Sequence, residues 1–212
     1  MGRIEKIKRQ LIEEANRGIN TSPSTDMDIY SDYGTNIMSI ANKFSGGGYQ
    51  WGGVSGVCIP LNHNGDIIRN CSEGDKTHCC GFTLSIGFIA ATNRGLINDK
   101  TVKQIEKFSS DWYSAGGANG KLCVEALKNL GIGEEVSLED AIEGDFCQIW
   151  RTNGSGHSVI FKSHIKKGDE IIGFNYRSSQ KSTGGIGGTK EYFYGSGGSM
   201  VRSNTYFGRM NS

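Results

Sequence analysis

Apolar positions recur with helical spacing through the first half of the chain and with strand-like spacing through the second half. Residues 3–17 put Ile4, Ile7, Leu11, Ile12 and Ala15 on one face with charges between them, which predicts an amphipathic helix ending near Gly18. Residues 20–33 read as polar and turn-like. Asn36 to Phe44 predicts a second helix with Ile37, Ile40, Ala41 and Phe44 on one side, stopped by Ser45-Gly46-Gly47-Gly48. Cys80 to Asn93 is apolar on nearly every side, which predicts a buried helix, with Gly95 as its stop. Thr101 to Phe108 and Lys121 to Leu130 predict further helices, and Ser137-Leu138-Glu139-Asp140 carries capping-box chemistry. The period then changes. Phe146 to Arg151, His157 to Ile165 and Glu170 to Tyr176 predict three consecutive strands joined by short Gly-containing turns. Residues 178–190 are polar and Gly-rich, and 191–207 offer one or two more short strands.

Helices first and strands afterwards predict an α+β fold, with N-terminal helices packed on a C-terminal antiparallel sheet. A chain of 212 residues without internal repeats fits one domain. We divide it into a helical arm over residues 1–33, packed on the same domain, and a body over residues 34–212. The body includes a strand-and-turn segment at about 54–76, where Asn64-Gly65 predicts a hairpin.

Composition narrows the function. Glycine is abundant (32) and proline scarce (2), which predicts many turns and close backbone approaches. A net charge of +1, from 23 basic and 22 acidic residues, gives no field suited to nucleic acid. No apolar run is long enough to span a membrane. The start, Met1-Gly2-Arg3-Ile4-Glu5-Lys6, lacks the apolar core of a signal peptide. Six cysteines are too few for a disulfide scaffold. Cys58 and Cys71 flank a turn-rich segment and are candidates for a bridge under oxidising conditions, while Cys123 and Cys147 read as core residues.

The chemistry concentrates in two places. Thr77-His78-Cys79-Cys80-Gly81-Phe82 puts a cysteine at the head of the buried helix, where free backbone N–H groups favour a thiolate. Polar Thr77 and His78 on one side and Gly81 on the other single out Cys79. Gly156-His157-Ser158-Val159-Ile160-Phe161 puts a histidine at the head of a strand. A thiol and a neutral imidazole together make a nucleophile and its base. The base also needs an acceptor that fixes its tautomer; Asn175 on the next strand is the first candidate and Gln180 the second. Cys58, His63, Cys71, His78, Cys79 and Cys80 also gather metal-ligating side chains. Paired C-x-x-C spacing is missing and adjacent cysteines suit zinc poorly, so neither metal nor cofactor is expected.

Four motifs in order then point to a family. They are Tyr49-Gln50-Trp51-Gly52-Gly53, Cys79-Cys80-Gly81-Phe82 at a helix start, Gly144-Asp145-Phe146, and Gly156-His157-Ser158-Val159-Ile160. Over roughly residues 36–177 the chain resembles the NlpC-type cell-wall cysteine peptidases and their amidase relatives, whose motifs run Tyr-x-Trp-Gly-Gly, Asp-Cys-Ser-Gly-Phe, Pro-Gly-Asp-Leu and Gly-His-Val. The resemblance implies a papain-like fold. It puts Cys79 on the nucleophile, His157 on the base, Asn175 near the third polar residue, and Tyr49 beside the nucleophile as an oxyanion helper. Cys80 and the helix-start backbone complete the substrate-positioning set. Trp51, Arg177 and Gln180 are the expected substrate contacts, with Arg177 and Lys181 facing stem-peptide carboxylates. The chain departs from the family at His78 (Asp there), Cys80 (Ser) and Glu143 (Pro), and its segment between Trp51 and Cys79 is much longer. That insertion is expected to sit near the nucleophile and reshape the cleft.

The expected activity is hydrolysis of amide bonds in peptidoglycan stem peptides. Peptidoglycan is the expected partner, without nucleic acid or membrane. Without a visible export signal, delivery to the cell envelope or periplasm as an antibacterial toxin is a further expectation, together with a small immunity protein plugging the cleft. The alternatives are a papain-like acyltransferase or protease acting on a protein target, and a zinc-binding or non-catalytic binding module.

Overall fold

The structure, a computed structural model, describes residues 29–71, 74 and 76–212. The helix expected over residues 3–17, and most of the arm, lie outside the described residues. Its described end packs on the main core. Tyr30 and Tyr33 are buried, and Tyr30 Oη donates to the Pro60 carbonyl at 3.0 Å.

The architecture is α+β, as the change of period predicts. Four α-helices are found among the described residues: α1 (Ile37–Ala41), α2 (Cys79–Asn93), α3 (Val102–Ser114) and α4 (Cys123–Leu130). Nine strands follow chain order: β1 (Gly46–Gly47), β2 (Leu61–His63), β3 (Asp66–Arg69), β4 (Gly133–Val136), β5 (Phe146–Arg151), β6 (Gly156–Lys167), β7 (Glu170–Gln180), β8 (Gly185–Tyr192) and β9 (Met200–Met210). Seven of them form one antiparallel sheet in the order β1-β8-β7-β6-β5-β9-β4, and β2 and β3 form a separate hairpin. Among the described residues, no helix is long and apolar enough to cross a membrane.

The helix α2 is the spine. Every residue from Cys79 to Thr92 is buried. Its few polar side chains bond back to the preceding turn, Thr83 Oγ1 to the Cys79 carbonyl at 3.0 Å and Ser85 Oγ to the Gly81 carbonyl at 2.8 Å, so their burial leaves no hydroxyl unpaired. The helix ends in a Schellman motif at the expected glycine. Gly95 takes a φ of 72° and donates to the Thr92 carbonyl, and Leu96 donates to Ala91. Against α2 lies α3, opened by the Thr101–Gln104 capping box; its Trp112 indole donates to Thr83 Oγ1 at 3.0 Å.

The sheet has apolar side chains on both faces. Phe146 and Ile160 face the helices. Phe161 and Phe174 each meet Phe207 edge-on in a second cluster that the sheet forms with Ala141 and Leu138. The strands β7 and β8 run longer than their apolar patterns suggest, because Ser178, Ser179 and Gln180 pair on through Gly185, Gly187 and Gly188.

Two local expectations change, and one motif gains a structural role. Ser137 and Asp140 do bond to each other, with the Asp140 N–H on Ser137 Oγ at 3.1 Å, but they cap a turn and no helix follows. Cys58 and Cys71 remain thiols and form no disulfide. The Gly144-Asp145 motif is a brace: Asp145 takes a bidentate pair from Arg209 at 3.0 and 2.8 Å, and accepts the Ile142 N–H at 2.9 Å, tying the start of β5 to the end of β9.

The insertion folds over the N-terminus of α2. Asn64 and Gly65 turn the β2–β3 hairpin with φ of 51° and 85°, as an Asn-Gly type I′ turn requires. Ahead of the hairpin, the Cys58 N–H bonds Ser85 Oγ at 3.1 Å, and Gly56 packs directly on Gly81. A Cβ on Gly81 would fall 2.1 Å from the Gly56 carbonyl carbon, so glycine is what lets the insertion close on the helix.

Candidate active site

Cys79 is the first residue of α2, and His78 caps the helix, its Nδ1 accepting the Gly81 N–H at 3.3 Å. The hairpins bring the second half of the chain to this point. β6 pairs with β7 so that Ile160 faces Arg177, and the same register sets His157 opposite Gln180. His157 Nε2 and Gln180 Oε1 are 2.9 Å apart. With Oε1 accepting from Nε2–H, the neutral ring leaves Nδ1 bare for a thiol proton. A hydrogen bond from Cys80, the charge and hydrogen bond of His157, and a hydrogen bond from His78 hold Cys79 well below the ordinary thiol range, against the opposing effect of its burial.

Cys80 goes the other way. It sits beneath the helix start, 3.8 Å from Cys79 Sγ and 3.4 Å from Ser158 Oγ. Its hydrogen bond to Cys79 and its burial push its thiol well up. Ser158 Oγ donates to Gln148 Oε1 at 2.7 Å, and Gln148 Nε2 donates to the Ile149 carbonyl at 3.1 Å. That chain commits the hydroxyl proton to Gln148, so Ser158 accepts and does not donate in its contact with Cys80. Burial likewise pushes the Cys123 thiol up to about 12. The two adjacent cysteines therefore separate chemically, Cys79 favouring the thiolate and Cys80 the thiol.

A groove of about 880 Å³ opens over these groups. Cys79, His157 and Gln180 line it, as do Tyr49 and Trp51 from the aromatic-glycine motif. Tyr49 is near enough for Cys79 to help raise its phenol, after desolvation. Trp51 is 66% exposed and its ring meets His78 edge-on at 5.3 Å.

Two expected site residues lie elsewhere. Asn175 Nδ2 donates to Ser163 Oγ at 3.1 Å, away from His157. It is five positions from Gln180, and alternation along a strand puts an odd step on the opposite face. Arg177 is also displaced: its Nε donates to the Ala41 carbonyl at 3.0 Å and an Nη to the Phe44 carbonyl, so it clamps the end of α1 to β7 and does not line the groove. Gln180, the second candidate, is the amide bonded to His157, and Lys181 lines the groove.

The groove also holds residues that motif reasoning missed. Arg151 forms a bidentate pair with Glu191 at 2.5 and 2.8 Å, Tyr176 Oη donates to Glu191 at 3.2 Å, and the Tyr176 ring lies edge-on to His157 at 5.6 Å. Tyr113, Trp150 and Lys190 complete the walls. Gln148 and Ser158 had a signal, as polar residues inside apolar strands; the Arg151–Glu191 pair joins residues forty apart and had none. His63, one of the candidate ligands, is bonded to the Lys100 carbonyl at 2.7 Å. His78, Cys79 and Cys80 instead bring ligand atoms within 4.8 Å of one another. No family model, curated protein or solved structure matches the chain.

Proposed function

We propose that this chain is a papain-like cysteine hydrolase that cleaves amide bonds in peptidoglycan stem peptides. The observation that carries the reading is the convergence of Cys79, His157 and Gln180 at the floor of one groove, with the thiol at a helix start. Each group has a role. The Cys79 thiolate attacks the amide carbonyl, and a C–S bond forms as the carbonyl π electrons move to oxygen. Backbone N–H groups at the start of α2 and the Tyr49 hydroxyl are the donors available to that oxyanion. The His157 imidazolium gives its proton to the leaving amine as the C–N bond breaks, and then takes one from the water that clears the thioester. Gln180 holds the ring through Nε2 during both transfers.

The groove walls support the substrate class. Trp51, Tyr113 and Trp150 offer flat apolar surfaces, and Lys181 and Lys190 offer cations at the rim, which suits a peptide with free carboxylates on a sugar polymer. The insertion narrows the groove by holding His78 and Tyr113, the Tyr113 hydroxyl bonding the Ser55 carbonyl at 2.5 Å. Digestion of purified peptidoglycan by the chain and by Cys79→Ala, with the released muropeptides weighed by mass spectrometry, tests the reading. The expected result is new stem-peptide fragments with the parent chain and none with the variant. Release at equal rates by both, or by neither, contradicts it.

A further inference from the structure

Hydrolysis leaves one feature of the site unused. Adjacent cysteines in a sequence suggest diverging side chains, yet in the first turn of α2 the Cys79 and Cys80 sulfurs stand 3.8 Å apart. Two thiolates bound at about 2.3 Å to one tetrahedral ion also stand about 3.8 Å apart. The pair is already spaced for a thiophilic metal. A ring nitrogen of His78 lies within 4.8 Å of both sulfurs. That ring is held in place: Trp51 and Tyr113 meet it edge-on at 5.3 and 5.7 Å, and Gly56 packs so tightly that a Cβ there would fall 2.3 Å from it. Its existing bonds are long, 3.3 Å from the Gly81 N–H and 3.4 Å to the Val54 carbonyl, so it releases one nitrogen at small loss. Fixed orientation is what surrounding contacts supply to metal-bound imidazoles.

We propose that Cys79, Cys80 and His78 form a zinc site that switches the nucleophile off. The ion displaces the Cys80 thiol proton and the proton that Cys79 shares with His157, both of which leave to solvent, and forms two Zn–S bonds and one Zn–N bond. Its fourth position is left to a water in the groove that both cysteines line. Thiolate ligands select zinc over magnesium or calcium. A sulfur committed to zinc does not attack a carbonyl. The inhibition rests on the hydrolase reading; the binding stands on its own geometry.

The test titrates Zn²⁺ and Co²⁺ into the chelator-stripped full chain, followed by calorimetry and by the visible bands of thiolate-bound cobalt. Cys80→Ser and His78→Asn are compared with the parent chain, the Asn retaining a helix cap, and Cys71→Ser serves as control. The expected result is one ion per chain with a tetrahedral thiolate spectrum. Affinity falls roughly tenfold or more in Cys80→Ser and His78→Asn and stays unchanged in Cys71→Ser. One equivalent of zinc also shields Cys79 from iodoacetamide. No binding by the parent chain, binding indifferent to both substitutions, or undiminished alkylation of Cys79 would overturn the proposal, as would wall hydrolysis that increases on adding zinc. A metal-free chain that binds zinc as described but digests no wall counts against the hydrolase reading alone.

Discussion

Gln180→Ala is the most informative perturbation of the catalytic line. The Gln180 Oε1 accepts from His157 Nε2 at 2.9 Å, and both side chains are buried. In the resting state this is a neutral hydrogen bond worth about 1 kcal/mol; when the ring carries a proton it becomes charge-assisted, worth about 1.5–3 kcal/mol. The imidazolium is the form that pairs with the Cys79 thiolate. Losing that preference for the imidazolium, about 0.5–2 kcal/mol, lowers kcat by roughly two- to thirtyfold. The His157 N–H also loses its buried acceptor, so the fold weakens by about 1–3 kcal/mol. The assay is the rate of iodoacetamide labelling at Cys79 across pH, beside the rate of peptidoglycan digestion and a thermal melt. Asn175→Ala serves as control and changes neither rate. If Asn175→Ala slowed both while Gln180→Ala left them intact, the assignment of the orienting residue would be wrong.

Three further outcomes follow from the same structure. Asp145→Ala strips the acceptor from Arg209 and from the Ile142 N–H, and is expected to cost about 2–3 kcal/mol in urea denaturation while Cys79 stays reactive. Gly56→Ala drives a methyl into the His78 ring at a residue with φ of 70°, and is expected to lower both stability, by about 1–3 kcal/mol, and digestion rate. Buried thiols set the alkaline limit. Cys123, pushed up to about 12, stays protonated in the fold while an unfolded thiol ionises near pH 8.5, so its contribution is complete below that pH and is lost as pH rises toward 12. Stability in reducing buffer therefore falls by about 1.4 kcal/mol per pH unit for such a thiol above pH 8.5, and Cys123→Ala has the shallower slope. Cys79 has the opposite sign: its contribution is complete above the unfolded value and fades as pH drops through its lowered one.

Periodicity carried most of the fold. The all-apolar run of α2, the Gly95 stop and the Asn64-Gly65 turn are local decisions, and each is where the pattern put it. Strand ends were illegible because backbone pairing continues past the apolar residues into Ser178, Ser179 and Gln180. That single error displaced the third site residue: reading β7 as ending at Tyr176 made Asn175 its nearest amide, whereas the full hairpin register delivers Gln180 to His157. Cys79 and His157 were legible because a helix start and a strand start announce themselves. Arg177 and the Arg151–Glu191 pair depend on which elements meet across the fold, and no local pattern encodes that.

The account stands or falls on whether Cys79 is ionised by His157. The direct measurement is alkylation of the chelator-treated chain at about pH 6, far below an ordinary thiol, with the adduct located by peptide mass mapping in the parent chain and in His157→Ala. A single adduct on Cys79 that disappears in the variant is the predicted result. An adduct on Cys80 instead, or labelling of Cys79 that is indifferent to His157, contradicts it.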